Sequence, residues 1–178
     1  MQKVLDKRKI RKVFRDVQKH LAIAQLIQRF STNKEDIRKT ALMQVDLSNC
    51  HNVLELGCAF GAFTEALKNK LPKDAKITGI DIIPEYRPFY LDACRRAGYE
   101  GLFSSSGIDK IKKYPSGSFD LVICSYALYF FPNMISEIAR ILKTDGFFIT
   151  ITHSKKDMWE MVERPSDTFL CSLTNIDS

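Results

Sequence analysis

The sequence predicts an α/β fold: N-terminal helices followed by a doubly wound, mostly parallel sheet. Three observations carry this. From residue 52 onward, short apolar runs alternate with helix-length amphipathic stretches, the pattern of repeated strand–helix units. The first run, Val53-Leu54-Glu55-Leu56, passes through Gly57-Cys58-Ala59-Phe60-Gly61 directly into a helical pattern. The second strand ends in an acid, Asp81, twenty residues after Gly61, where nucleotide-binding doubly wound folds place a carboxylate on a ribose.

Size and composition narrow the classes. A chain of 178 residues with 45% hydrophobic content has enough apolar mass for one core, which excludes a disordered chain. The five cysteines (50, 58, 94, 124, 171) are scattered and lack Cys-x-x-Cys spacing. They indicate reduced thiols and a cytoplasmic protein, not a disulfide frame or a zinc site. No apolar run reaches membrane-spanning length, and the N-terminus lacks the apolar core of a signal peptide. Residues 1–20 carry the whole net charge of +6, and the rest is neutral. The chain therefore divides into a helical segment with a basic arm, 1–44, and an α/β domain, 45–178.

Residues 2–30 read as one helix, with Ile10, Val13, Phe14, Val17, Leu21 and Ala24 forming an apolar stripe opposite the basic side chains. Such a helix either packs on the domain or a second subunit, or grips RNA or another acidic surface. No aromatic residues interleave the charges. Thr32-x-x-Glu35 has the form of a capping box for a helix running to about Met43. After the glycine turn, Phe63, Ala66, Leu67 and Leu71 mark the inward face of the first sheet helix, and Pro72 ends it. Lys76–Asp81 is the second strand, and Glu85–Ala97 is the next helix, with Pro88 tolerated near its first turn. Gly101–Ser105 is the third strand. Pro115–Ser118 is a turn, and Phe119–Ser125 is the fourth strand. Asn133–Leu142 is a helix with Ile135, Ile138, Ala139 and Leu142 inward. A tight turn at Lys143–Gly146 leads to a fifth strand at Phe147–His153. Ser154-x-x-Asp157 caps a short helix, and Thr168–Leu173 is one further strand, which leaves the C-terminal edge of the sheet incomplete.

Two ligand classes use a glycine turn of this kind. A dinucleotide site wants glycine at the first and third turn positions and Gly or Ala at the sixth. Here those positions hold Gly57, Ala59 and Ala62, so the glycine that admits a pyrophosphate is missing. Glu55-Leu-Gly-Cys-Ala-Phe-Gly61 instead resembles the first motif of class I S-adenosylmethionine (SAM) dependent methyltransferases, an acid followed by Gly-x-Gly-x-Gly. Glu55, Gly57 and Gly61 match, and Ala59 replaces the middle glycine. Ser118-Phe-Asp-Leu-Val122 and Leu142-Lys-Thr-Asp-Gly146 are similar to later motifs of that family, and the texture is that of its small-molecule branch. The resemblance spans about residues 45–160.

It implies a Rossmann-like methyltransferase sheet of order 3-2-1-4-5 and SAM as cofactor. Glu55, Gly57, Cys58, Ala59 and Gly61 would hold the methionine end. Asp81 would hold the ribose and Ile82 cover the adenine. Gly107 with either Ile108 or Asp109, depending on register, would meet the adenine edge. Cys124 would lie near the reactive methyl, with Tyr126, Tyr129 and His153 as candidates for positioning an acceptor or acting as a base. No metal is implied. The leading reading is methyl transfer to a small molecule by in-line displacement. The alternatives are an RNA methyltransferase using residues 1–20, and a non-catalytic SAM-binding or assembly protein, including a homo-oligomer.

Overall fold

The computed structural model describes residues 7–31 and 33–153. Five strands form one sheet: β1 (Asn52–Leu56), β2 (Lys76–Asp81), β3 (Glu100–Ser105), β4 (Phe119–Ser125) and β5 (Leu142–Ile151). Their order is β3-β2-β1-β4-β5, and every pairing is parallel. Central strands buried on both faces read as unbroken apolar runs, and Val53, Leu54, Leu56, Leu121, Val122 and Ile123 are all fully buried. Each such side chain contributes roughly 1.5–3 kcal/mol by leaving water.

Helices cover both faces. Against one face lie α4 (Ala62–Ala66) and α5 (Arg87–Ala97), where Phe63, Leu67, Tyr90 and Cys94 pack on Val53, Ile77 and Leu121. Against the other lies α6 (Ile135–Ile141), where Ile138 and Ile141 meet Leu54, Leu56, Val122 and Cys124. The strand order reverses between β1 and β4, so a crevice opens beyond the carboxyl ends of these two strands.

The structure corrects several sequence expectations. The single helix expected over 2–30 is two, α1 (Lys7–Phe14) and α2 (Val17–Phe30). The break is Asp16, whose carboxylate accepts the Lys19 N–H at 3.0 Å and caps α2. Asp36 likewise caps α3 (Ile37–Ala41) by accepting from Arg38 N, while Glu35 donates its own N–H to Asn33. Thr32 lies outside the described residues. On α6, Ile135 is 53% exposed and Ala139 is exposed, because a short 3-10 turn at Pro132–Met134 rotates the helix and buries Met134 instead. The Lys143–Gly146 turn is a bulge inside β5: Phe119 pairs with Leu142, but Leu121 pairs with Phe147. The cap at Ser154 and the strand at Thr168–Leu173 fall outside the described residues.

Of the N-terminal apolar stripe, Phe14, Val17 and Leu21 pack against Ile83, Tyr86 and Phe60, while Val13 is 61% exposed. The N-terminal helices thus seat on the loop that follows β2.

Candidate functional site

The site grows from the end of β1. Gly57 donates its N–H to Ile80 O at 2.8 Å, and Gly61 donates to Cys58 O at 2.8 Å, folding the chain back before α4. Three residues of this turn take left-handed backbone angles: Gly57 (φ +68), Ala59 (φ +42) and Gly61 (φ +76). Glycine removes that cost at two positions, and alanine bears it at the third. A Cβ on Gly57 would lie 2.6 Å from the Ala127 Cβ, so the loops after β1 and β4 touch there.

Asp81 joins β2 to this turn. One carboxylate oxygen accepts the Ala59 N–H at 3.0 Å and the other accepts the Ile83 N–H at 2.9 Å. Burial raises its pKa, and the N–H groups of Ile83 and Ala59 oppose that rise. Each oxygen keeps a further lone pair, so the clamp does not exhaust its capacity to accept. Asp81 therefore plays both parts open to a strand-end acid: it caps the next segment and retains acceptor capacity at the crevice. Ile82 follows it half-buried.

Beside it, Ser106 N–H bonds to Asp81 O, and Gly107 leads into a 3-10 turn over Ile108–Lys113. Ile108 turns toward the core on the α6 side, whereas Asp109 is exposed and pairs with Lys112 at 3.7 Å.

The end of β4 supplies the opposite wall. The Cys124 thiol is fully buried and burial pushes its pKa up to about 12; its carbonyl accepts from the Thr150 hydroxyl at 2.9 Å. The Cys58 thiol is also turned into the core, so both cysteines face the crevice only through their main chain. Tyr126 takes φ +54 and donates its N–H to Ile151 O at 2.8 Å. A non-glycine residue held there is strained, and such strain gathers at functional sites. The Tyr126 ring stands 4.7 Å from the His153 ring, and Tyr129 stands 6.1 Å from it. Tyr126 and Tyr129 are 38% and 40% exposed. Burial raises the Tyr129 pKa, so it remains a neutral phenol at pH 7.

Glu55, expected at the methionine end, is buried near the end of β1. Its side chain is 3% exposed and points to the α4 side, where the Thr64 hydroxyl meets Oε2 at 2.5 Å. Burial raises its pKa to about 8, against the opposing Thr64 hydrogen bond. A carboxyl whose folded pKa exceeds its unfolded value adds stability fully below the unfolded pKa and loses it as pH rises through the folded one. Chemical denaturation of wild type should thus show stability falling between about pH 4.5 and 8, and Glu55→Gln should flatten that fall. An unaltered pH profile in the variant would show Glu55 to be ionised.

Sequence reasoning missed Thr64 and an aromatic roof. Thr64 was legible as a hydroxyl in the first turn of the helix after a strand bearing a buried acid. The roof has no local signal, since Phe14, His20, Phe60, Tyr86 and Phe130 come from four separate segments. Phe14 meets Phe130 at 6.1 Å, His20 meets Phe60 at 4.7 Å, and Phe60 meets Tyr86 at 5.1 Å. The Tyr86 hydroxyl donates to Phe14 O at 3.1 Å and lies 2.5 Å from His20 Nδ1. With its one proton committed, it accepts from an Nδ1–H imidazole. Burial lowers the His20 pKa, which favours that neutral form.

Residues 54–150 match the family described as a methyltransferase domain. The Bacillus subtilis protein called uncharacterized methyltransferase YcgJ is 28% identical over 106 residues, covering 58% of this chain and 41% of its own. Nocamycin O-methyltransferase of Saccharothrix syringae is 29% identical over 124 residues, 65% of this chain and 44% of that protein. The chain thus spans less than half the length of these curated relatives. The solved precorrin-6y C5,15-methyltransferase of Geobacter metallireducens shares the fold, with TM-score 0.53 and 16% identity over 71% of this chain and 67% of that one. With the strand order and the glycine turn already in place, the match over residues 54–150 settles the family: the chain belongs to the class I SAM-dependent methyltransferases.

Proposed function

We propose that the chain binds SAM where β1, β2 and β4 end and transfers its methyl group to a small-molecule acceptor. The observation that carries this is the pairing of left-handed main chain at Gly57, Ala59 and Gly61 with that at Tyr126, across the strand-order reversal, with Asp81 alongside. The residues present fit the donor. Gly57, Cys58, Ala59 and Gly61 offer main chain without bulky side chains to a methionine moiety. Asp81 keeps acceptor sites that would hold ribose hydroxyls, and Ile82 would supply apolar surface for adenine. Main-chain groups of Gly107, Ile108 and Asp109 would meet the adenine edge, and Cys124 would contribute its main chain at the end of β4. Glu55 supports the turn from beneath, through Thr64.

When bound, SAM supplies an activated methyl group on a sulfonium, open to direct displacement. The chain then has to position the acceptor and keep water out. Tyr126 and Tyr129 form the acceptor wall, and the roof over Phe60 and Tyr86 closes the donor side. His153 takes a proton only from an acceptor that holds it until attack. The small-molecule reading draws on this aromatic, partly open wall and on the named acceptor of the nocamycin enzyme.

The test is a transfer assay with methyl-tritiated SAM against a cell extract separated into metabolites, RNA and protein. Label is expected in the metabolite fraction and should be lost with His153→Ala only at pH values where the acceptor is protonated. Label confined to RNA or protein would reassign the acceptor. SAM binding with no label in any fraction would leave a non-catalytic binding protein.

A further inference from the structure

Arg8, Arg11 and Lys12 of α1, with Arg15 just past its end, recur at three- and four-residue steps and share one exposed face, while Phe14 packs inward. Together with Ile83, Pro84 and Glu85 they line an open cleft of about 490 Å³. That volume is in the range of ligand-sized clefts, roughly 300–1,000 Å³. Arg11, Lys12 and Arg15 line it with a single carboxylate, Glu85. Among the described residues no carboxylate lies in ion-pair range of Arg11, Lys12 or Arg15.

The cavity is held in shape. Arg11 Nε donates to Ile82 O at 3.1 Å, and the Tyr86 hydroxyl donates to Phe14 O at the far end of α1. These bonds fix the helix over the loop, with its cations exposed along the cleft. Like charges on neighbouring turns repel, and fixing them against one wall adds to the cost. An anion between them relieves it. Guanidinium groups are planar forks that match phosphate oxygens, so phosphate is the chemistry best suited to Arg11, Arg15 and Lys12.

We propose that this cavity is a second binding site, for a phosphate-bearing ligand: either a stretch of phosphodiester chain or a free phosphorylated compound. It is bounded by α1 and Ile83–Glu85 and does not depend on the methyl-transfer reading.

Two probes separate the sources: a fluorescein-labelled ten-nucleotide single-stranded RNA, followed by anisotropy, and inorganic tripolyphosphate, followed by calorimetry. At least one should bind the full chain, and the variant Lys12→Gln/Arg15→Gln should weaken it by about tenfold or more at 100 mM KCl. If the RNA binds, its log–log salt slope should fall by about 1.4 in that variant, the share of two phosphate contacts on a single strand. Binding of tripolyphosphate alone identifies a free phosphorylated compound; binding of both identifies a chain. Lys12→Gln alone, which removes no contact that the structure shows, should weaken binding by a smaller factor even if the double variant melts early. No binding of either probe, or equal binding by wild type and both variants, overturns the site.

Discussion

A Gly57→Val variant is expected to lose SAM binding altogether. Gly57 sits at φ +68, which costs a residue with a Cβ about 1–2 kcal/mol and a β-branched one more. Its new Cβ would meet the Ala127 Cβ at 2.6 Å, a distance that forces the loops after β1 and β4 apart. Those loops are the two walls of the proposed donor site, so the variant should lose affinity by more than it loses stability. Calorimetric titration reads the first, and thermal denaturation followed by circular dichroism reads the second. Gly57→Ala serves as a milder companion, since it meets the same neighbour without the branched carbon. A folded Gly57→Val chain with wild-type affinity would place the ligand elsewhere.

Asp81→Ala carries the second large effect. The substitution removes an acceptor for ribose hydroxyls, which weakens SAM binding by roughly 1–3 kcal/mol, about 5- to 150-fold. It also strips the Ala59 and Ile83 N–H groups of their acceptor, so the glycine turn loses its tie to β2. Affinity and melting temperature should therefore fall together. Asp81→Asn separates the two roles. It keeps one carbonyl oxygen for a backbone N–H but carries no charge, so it should recover part of the stability and little of the affinity. Unchanged affinity in Asp81→Ala by calorimetry would remove this carboxylate from the donor site.

The parts of the fold legible in sequence were those specified locally. Strands β2 and β4 were read to the residue, because a parallel strand buried on both faces is an uninterrupted apolar run with sharp polar ends. The glycine turn was legible because its backbone angles restrict residue choice at Gly57 and Gly61. Helix boundaries were harder wherever a short polar side chain competed for the backbone, as Asp16 and Asp36 do in capping α2 and α3. What could not be read was anything decided at long range. Glu55 gave no sign that its partner would be the Thr64 hydroxyl. Tyr126 gave no sign of its positive φ, since that conformation is imposed by the Ile151 carbonyl. Nor did the N-terminal stripe show that α1 would border a cleft with the loop after β2.

The donor site between the ends of β1 and β4 underlies the whole functional account, and calorimetric titration of the wild-type chain with SAM, S-adenosylhomocysteine and NAD tests it most directly. The expected result is one site that takes the first two ligands and ignores the third, since Ala59 stands where a pyrophosphate needs glycine. Binding of NAD, or of none of the three, would contradict it.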